Sequence, residues 1–529
     1  MAVPGMEGVD KAALYGGGTM GDIIARSIAR YPDRIAFING EQEVSYRATG
    51  ESISRIVQWL DAQGLKRGDT VVQLSRNRPE QWFVMAALYM AGLRSVTLHS
   101  MGGAEDHVHI INDSEAKAFI FDAGFADRID VYRQQCPDVQ SWHCHGAGTA
   151  YADLWTVARA FAPGRLACRS APEDIIRLAY TGGTTGRPKG VMLSNRALVA
   201  NTLLTLVEKD WPEDVRVLSP AQISHGSGAM IVPTLLRGGT FVMQAGFDKD
   251  QVIAAVQRHR ISVIYMVPTM IYALLDHPPA RAADWSSVKL ITYGASPMST
   301  SRIREAIGLF GPVLCQGYGQ TEAPNSITVL RKVDHDLHHE QRLASCGMPY
   351  PGIRVALLDD DCNEVAQGSV GEVCVRGPIV MSGYWKQPEL TAEAFKGDWL
   401  HTGDLAYADE DGYLYIVDRK KDMIISGGFN VYPREVEDVL ASHPAVSAAA
   451  VIGVPDDKWG EAVKAVIVTR PGMSVDAADL MRIVRERKGP VSTPKSVDFI
   501  DALPLTAVGK PDKKALRARY WTGRERSVN

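Results

Sequence analysis

Apolar positions in this chain fall into short runs separated by longer stretches of mixed polarity, the alternation that builds parallel sheets covered by helices. Residues 69–74 read as a strand, 79–91 as a helix and 95–98 as a strand, and the pattern repeats with a helix at 107–113 and a strand at 118–121. Ahead of them, residues 21–31 and 47–63 read as helices, and 34–45 as a hairpin turning at Asn39-Gly40. In the middle of the chain come strands at 175–180 and 190–193, a helix at 195–208 and a strand at 215–219. Three β-branched or apolar runs follow, at 261–267, 289–293 and 313–316. They end in Pro268-Thr269, in Gly294, Ala295, Ser296 and Pro297, and in Gly317, Tyr318, Gly319, Gln320, Thr321 and Glu322. Open α/β sheets make ligand crevices where strands end in this way, so one shared crevice is predicted.

From residue 354 the rhythm changes. RVALLDDDCNE, GEVCVRG and GYLYIVDRK read as antiparallel strands, expected to form a small β-barrel. The charged cluster Arg419, Lys420, Lys421 and Asp422 marks a domain boundary. Beyond it, a helix at 433–441, strands at 446–454 and 462–469, a helix at 477–488 and a strand at 496–499 make a small α+β unit. The expected fold is α/β: a large N-terminal domain of layered sheets plus the barrel over residues 1–420, and a small C-terminal domain over 421–529.

Length agrees, since 529 residues exceed what one hydrophobic core supports. With 57 basic against 61 acidic residues and a net charge of -4, there is no footprint for nucleic acid or an anionic membrane. The longest apolar stretch, 82–93, is too short to cross a bilayer and reads as a buried helix. The opening MAVPGMEGVDKAALYGGG lacks a basic segment leading into an apolar one, so the cytoplasm is expected. Seven scattered cysteines without a Cys-x-x-Cys pair argue against a disulfide framework and a structural zinc site. His143-Cys144-His145 and the run from His335 to Glu340 read as solvated loops without function, because neither offers helical i, i+4 ligand pairing.

The candidate chemistry centres on YTGGTTGRPKG, residues 180–190. Its glycines remove bulk, Thr181, Thr184 and Thr185 add hydroxyl donors, and Arg187 and Lys189 add positive charge, as a polyphosphate cradle requires. Gly190 follows the lysine, so the stretch is not a Walker loop. His225 sits in the small-residue loop PAQISHGSG, where space for a ligand remains beside it. Glu322 is the carboxylate at the strand ends, and one carboxylate with phosphate oxygens and water is a typical magnesium environment. Asp404, after a glycine in WLHTGDL, could accept two hydrogen bonds from a ribose diol.

Six ordered motifs make the sequence resemble the AMP-forming adenylating enzymes, a superfamily of acyl-CoA synthetases, peptide-synthetase activating domains and beetle luciferase. They are YTGGTTGRPKG, YGASP (293–297), GYGQTE (317–322), HTGD (401–404), DRKKDMIISGGFNVYPREVE (418–437) and the late Gly509-Lys510. The resemblance implies ATP, magnesium and coenzyme A, with a small carboxylic acid as substrate. No nucleic acid and no integral membrane segment are implied, and a homodimer is compatible with it. It further implies that Thr181, Gly182, Gly183, Thr184, Thr185 and Lys189 hold the β,γ-phosphates. Gly294, Ala295 and Ser296, with Gln316, Gly317, Tyr318 and Gly319, would surround the rest of the nucleotide. Thr321 is similar to the hydroxyl near the α-phosphate, Glu322 to the magnesium ligand, and Asp404 and Arg419 to the ribose contacts.

Lys510 resembles the lysine that bridges carboxylate and α-phosphate oxygens during adenylation. Lys421 matches the pivot about which the C-terminal domain rotates before the thiol enters. Ser426, Gly427, Gly428 and Phe429 would then line a pantetheine tunnel, with Trp459 near the coenzyme A adenine. His225, Met266, Val267, Gly294 and Gly319 would line the acyl pocket, where small residues admit an aryl, alicyclic or medium-chain acid. The expected activity is therefore acyl-CoA formation through an acyl adenylate. The alternatives are an adenylating ligase that loads a carrier protein and a non-catalytic nucleotide- or acyl-binding protein.

Overall fold

The computed structural model describes residues 18–181, 187–420, 422–426, 429–456, 458–506 and 511–521. Two large sheets carry the N-terminal part. The first runs Ala152–Asp153, Ser141–His145, Ala116–Asp122, Thr70–Leu74, Arg94–Thr97, Ile175–Thr181, Lys189–Ser194, and is parallel except for its last, antiparallel pair. The second has nine strands. Its parallel centre is Leu314–Tyr318, Leu290–Gly294, Val263–Met266, Arg216–Ser219, Thr240–Met243 and Ile35–Asn39, and the early strand Gln42–Ser45 closes one edge. The expected hairpin at 34–45 is present, with Gly40 of its turn at φ 61°, the left-handed conformation such turns need.

The helix Pro79–Ala91 is apolar all round, and every residue of it except Glu80 is buried. Proline starts it, and Gly92, at φ 72°, stops it. Together with Met20–Arg30 and Tyr46–Ala62 it fills the main core, which Phe37, Trp59, Trp82 and Phe241 anchor.

The strands expected as a barrel form a four-stranded antiparallel sheet, Arg354–Leu358, Gly371–Arg376, Leu400–Ala408, Leu414–Arg419, whose end strands do not pair with one another among the described residues. The C-terminal unit is a second α+β layer. Val446–Asp456 and Gly460–Thr469 form its central hairpin, Ser496–Phe499 runs parallel to the latter, and Pro433–Ala441 and Ala477–Ser492 cover it.

Both histidine groups read as solvated loops depart from that expectation. Ser141–His145 is a strand, and His145 is buried, stacked on Trp155 and accepting its indole N–H at 3.1 Å. His335 is buried too, with Nδ1 donating to the Arg331 carbonyl at 2.8 Å and Nε2 accepting from Tyr293 at 3.0 Å. Burial pushes both imidazoles down to about 4, so they are neutral core residues. The later part of the second run, with His338, His339 and Glu340, does lie on the surface.

Candidate active site

The two sheets and the four-stranded sheet meet around a crevice of about 2000 Å³. Thr181 and Lys189 line it and pair in register at the base of the glycine-rich loop, of which residues 182–186, including Gly182, Gly183, Thr184 and Thr185, lie outside the described residues. From the second sheet, Gly294, Ala295, Gly317 and Gly319 line the same space, followed by Thr321 and Glu322. Gly294 and Gly317 are register partners, and a Cβ on Gly294 would fall 2.3 Å from the Gly317 carbonyl oxygen, so glycine is required there. Ala295 turns the chain away with φ 69°, unusual for a residue with a side chain.

Asp404 is buried in the strand Leu400–Ala408, directly across from Arg419. Arg419 Nε lies 3.2 Å from Asp404 Oδ1, while Oδ2 accepts from the Tyr318 hydroxyl at 2.7 Å and Gln320 Nε2 at 2.6 Å. Burial, together with the Asp404 charge, pushes the Tyr318 hydroxyl well above its ordinary value, so it stays protonated and donates. Behind this group, Glu372 accepts from Gly403 N at 2.9 Å and meets His401 Nδ1 at 3.1 Å, fixing the HTGD turn. Tyr318 therefore enters the site through Asp404, a role its place in the motif did not reveal, and Gln320 joins it.

Tyr384 is a site residue that sequence reasoning missed. Its segment runs antiparallel to Lys189–Ser194, with Trp385 N donating to Gly190 O at 2.7 Å and Met192 N to Gly383 O at 2.9 Å. This sets the Tyr384 hydroxyl 2.9 Å from Glu322 Oε1 and its ring 5.7 Å from Lys189 Nζ. The Glu322 carboxylate is thus held in place at the crevice wall, a donor set that suits magnesium, which keeps most of its other ligands as water and phosphate.

The acyl-pocket residues separate by strand face. His225 and Val267 line the crevice, and His225 lies edge-on to His99 with ring centroids 4.9 Å apart. Met266 does not: it is packed with Ile264 and Tyr293 on the far side of the sheet, and Tyr265 takes the crevice side because neighbouring strand residues face opposite ways. Gln316 is likewise buried away from the crevice, its Oε1 lying 3.3 Å from the Tyr293 hydroxyl. Ser296 is half-buried just past the strand end and does not line the crevice.

In the C-terminal unit, Ser426 is buried in a short strand, while Phe429 is 60% exposed and Trp459 39% exposed. Lys421, Gly427, Gly428 and Lys510 lie outside the described residues. The chain flanking Lys510 reaches the site, since Leu505 and Thr506 line the crevice and Leu505 pairs with Pro511. Two further ion pairs tie this tail down: Lys513 to Glu437 at 2.8 Å and Arg517 to Asp422 at 2.8 Å. The unit docks through Arg470, 3.0 Å from Glu305, and through Arg434, which donates to Ile416 O at 2.8 Å. Beside the docking surface, Asp418 accepts from Arg419 N at 2.7 Å and Arg434 N at 3.1 Å. Burial pushes its carboxyl up to about 6, with Lys513 opposing.

Comparison with known proteins adds the following. The sequence profile of AMP-binding enzymes matches residues 24–385, and that of the AMP-binding enzyme C-terminal domain matches residues 435–510. A medium/long-chain-fatty-acid–CoA ligase, FadD8 of Mycobacterium tuberculosis, is 42% identical, over 96% of this chain and 91% of its own. A feruloyl-CoA synthase of an Amycolatopsis species is 37% identical, over 92% of this chain and 96% of its own. Among solved structures, the amide bond synthetase McbA from Marinactinospora thermotolerans superposes with a TM-score of 0.87 at 33% identity, covering 95% of this chain and 99% of that one.

Proposed function

Since the chain belongs to the AMP-binding enzyme family, we propose that it is an AMP-forming acid–CoA ligase that activates a carboxylic acid with ATP and passes the acyl group to coenzyme A. The observation that carries this reading is the convergence of three elements on one crevice: the base of the glycine-rich loop, the Tyr384-anchored Glu322, and Arg419, which lines the crevice and pairs with the buried Asp404 behind it.

The chemistry follows from charge. A carboxylate is a poor electrophile because it is anionic and its leaving group would be an oxide. In the first half-reaction a carboxylate oxygen attacks the α-phosphorus of ATP, the bond to pyrophosphate breaks, and an acyl adenylate remains. In the second, the thiolate of coenzyme A attacks the acyl carbon and AMP leaves. Thr181, Lys189 and the intervening loop would hold the outgoing phosphates, Asp404 and Arg419 the ribose, and Thr321 the α-phosphate. Glu322 would hold magnesium, which when bound neutralises phosphate charge. Lys510 would bridge carboxylate and phosphate oxygens as negative charge builds. Rotation about Lys421 would then bring Ser426 to Phe429 and Trp459 to the thiol's path. The cytoplasm, where ATP and coenzyme A are kept, is the compartment this reading implies.

The test is direct. Purified protein with ATP, magnesium, coenzyme A and a panel of aliphatic, aryl and cyclic acids should release pyrophosphate and AMP in step with thioester. Acid-dependent pyrophosphate without thioester, relieved by a carrier protein or an amine, would move the second half-reaction to that acceptor. Absence of acid-dependent pyrophosphate across the panel would overturn the ligase reading and leave a binding protein.

A further inference from the structure

The helix Asn195–Glu208 forms one wall of the crevice, and its wall-facing side is not the plain hydrocarbon surface a paraffinic chain would call for. Leu198, Asn201 and Thr202 line the space, and Lys209, the residue that ends the helix, lines it as well. Lys209 is only 7% exposed, and its Nζ donates to Thr292 Oγ1 at 2.6 Å. Thr292 lies two residues before Gly294 on the same strand face, with Tyr265 and Cys315 as its register neighbours. Two residues of strand span about 7 Å, so Lys209 marks a level that much deeper than the Gly294–Gly317 opening.

A lysine amine offers more donors than one threonine hydroxyl can take. Among the described residues no carboxylate pairs with Lys209. The titratable side chain closest in influence is the Cys315 thiol, which burial pushes up to about 11 and so keeps uncharged at neutral pH. Burial likewise lowers the affinity of Lys209 for its proton. Asn201 gives Oδ1 to the Ser326 hydroxyl at 2.9 Å, which leaves its amide N–H groups as further donors on the same wall. A buried surplus of donors is costly unless something accepts from them.

We propose that the inner end of the acyl cavity is a donor site built on Lys209, and that it recognises an oxygen substituent on the acid, remote from the reacting carboxylate. The substrate class is then an oxygenated carboxylic acid, bearing a distal hydroxyl, keto or second carboxylate group. This rests on the ligase reading and narrows it. A site made to hydrogen-bond an oxygen discriminates strongly against an analogue without one, because its own polar groups are then left unpaired.

The experiment uses matched acids: octanoate against 7-oxooctanoate and against octanedioate, and cinnamate against 4-hydroxycinnamate, with thioester formation followed in wild type, Lys209→Met and Lys209→Gln. Wild type should favour the oxygenated member of at least one pair by roughly tenfold or more in kcat/KM. Lys209→Met should erase or invert that preference, chiefly through KM and with gained activity on the plain acid. Lys209→Gln, which keeps an N–H donor, should retain part of the preference for the neutral oxygens. Equal or better use of every plain acid by wild type, or an unchanged ratio in Lys209→Met, would overturn the donor site while leaving the ligase reading intact. Failure of wild type to activate any acid would instead defeat the ligase reading, and the donor site with it.

Discussion

Arg419 and Asp404 face each other across adjacent antiparallel strands, Nε to Oδ1 at 3.2 Å, with the carboxylate's other oxygen already claimed by Tyr318 and Gln320. A diol approaching this carboxylate meets an acceptor whose position is set from three sides. Asp404→Ala removes the acceptor and leaves a guanidinium, a hydroxyl and an amide without it. ATP affinity should fall about tenfold or more, and the melting temperature should drop, since breaking a buried charged network is destabilising. Calorimetric titration with ATP and a thermal melt check both.

Tyr384 orients the Glu322 carboxylate through one hydrogen bond of 2.9 Å. Tyr384→Phe keeps the ring beside Lys189 and deletes only that bond. The magnesium concentration giving half-maximal pyrophosphate release should rise several-fold, with the acid KM unchanged. A shift in acid KM alone would detach Tyr384 from the metal.

The proposed role of Lys510, bridging carboxylate and α-phosphate oxygens, belongs to the first half-reaction alone. Lys510→Ala should slow adenylation by roughly a hundredfold or more while thioester formation from supplied acyl adenylate continues. Rapid-quench measurement of each half-reaction separates them, and equal losses in both would contradict the division. Gly428→Trp should act in the opposite sense, sparing adenylation and obstructing the thiol.

Arg470 holds the C-terminal unit against Glu305 at 3.0 Å and Asp276 at 3.8 Å. These contacts join the two domains in the arrangement seen. Arg470→Ala should therefore favour their separation, shifting the adenylation rate and the rate from supplied acyl adenylate a few-fold in opposite directions. Scattering should report a larger radius of gyration. Identical half-reaction rates would show that Arg470 does not bias the domains.

Asp418 supplies a pH signature. Its carboxyl is raised to about 6 by burial, above its ordinary value of 3.8, so the folded protein holds this proton more tightly than the unfolded chain. The contribution is complete below pH 4 and is lost as pH climbs through 6, with a slope of at most about 1.4 kcal/mol per pH unit. Asp418→Asn cannot ionise, so the difference in stability between the variant and wild type should change between pH 4 and 6 and be level above 7. Urea melts at half-unit intervals test this.

The strand ends of the second sheet were legible because buried β-branched runs stopping at glycine carry both their burial and their opening in the local sequence. Tyr384 was not, since its relation to Glu322 depends on a segment pairing with a strand nearly two hundred residues earlier. Met266 and Tyr265 exchange places for a simpler reason: a run apolar at every position hides which alternate residues face the ligand. Lys209 follows a helix, where a lysine reads as a solvated cation on the last turn, and only tertiary packing reveals its burial. Gly489, at φ 80°, breaks the run Ala477–Ser492 in two, so the helix expected to stop at 488 does stop there and a short second turn begins at Pro490. The tight sequence motifs therefore located the nucleotide crevice, while its supporting shell required long-range contacts.

The hairpin at the edge of the second sheet bears on how this protein is made. Ile35–Asn39 has as its parallel neighbour Thr240–Met243, a segment translated about two hundred residues later. At about 5–20 residues per second, a nascent chain carries that unmatched hydrophobic strand for roughly ten to forty seconds before its partner emerges. The hairpin is thus synthesised early and waits for about two hundred residues before its parallel neighbour can cover it, which makes it a natural foothold for a chaperone working at the ribosome.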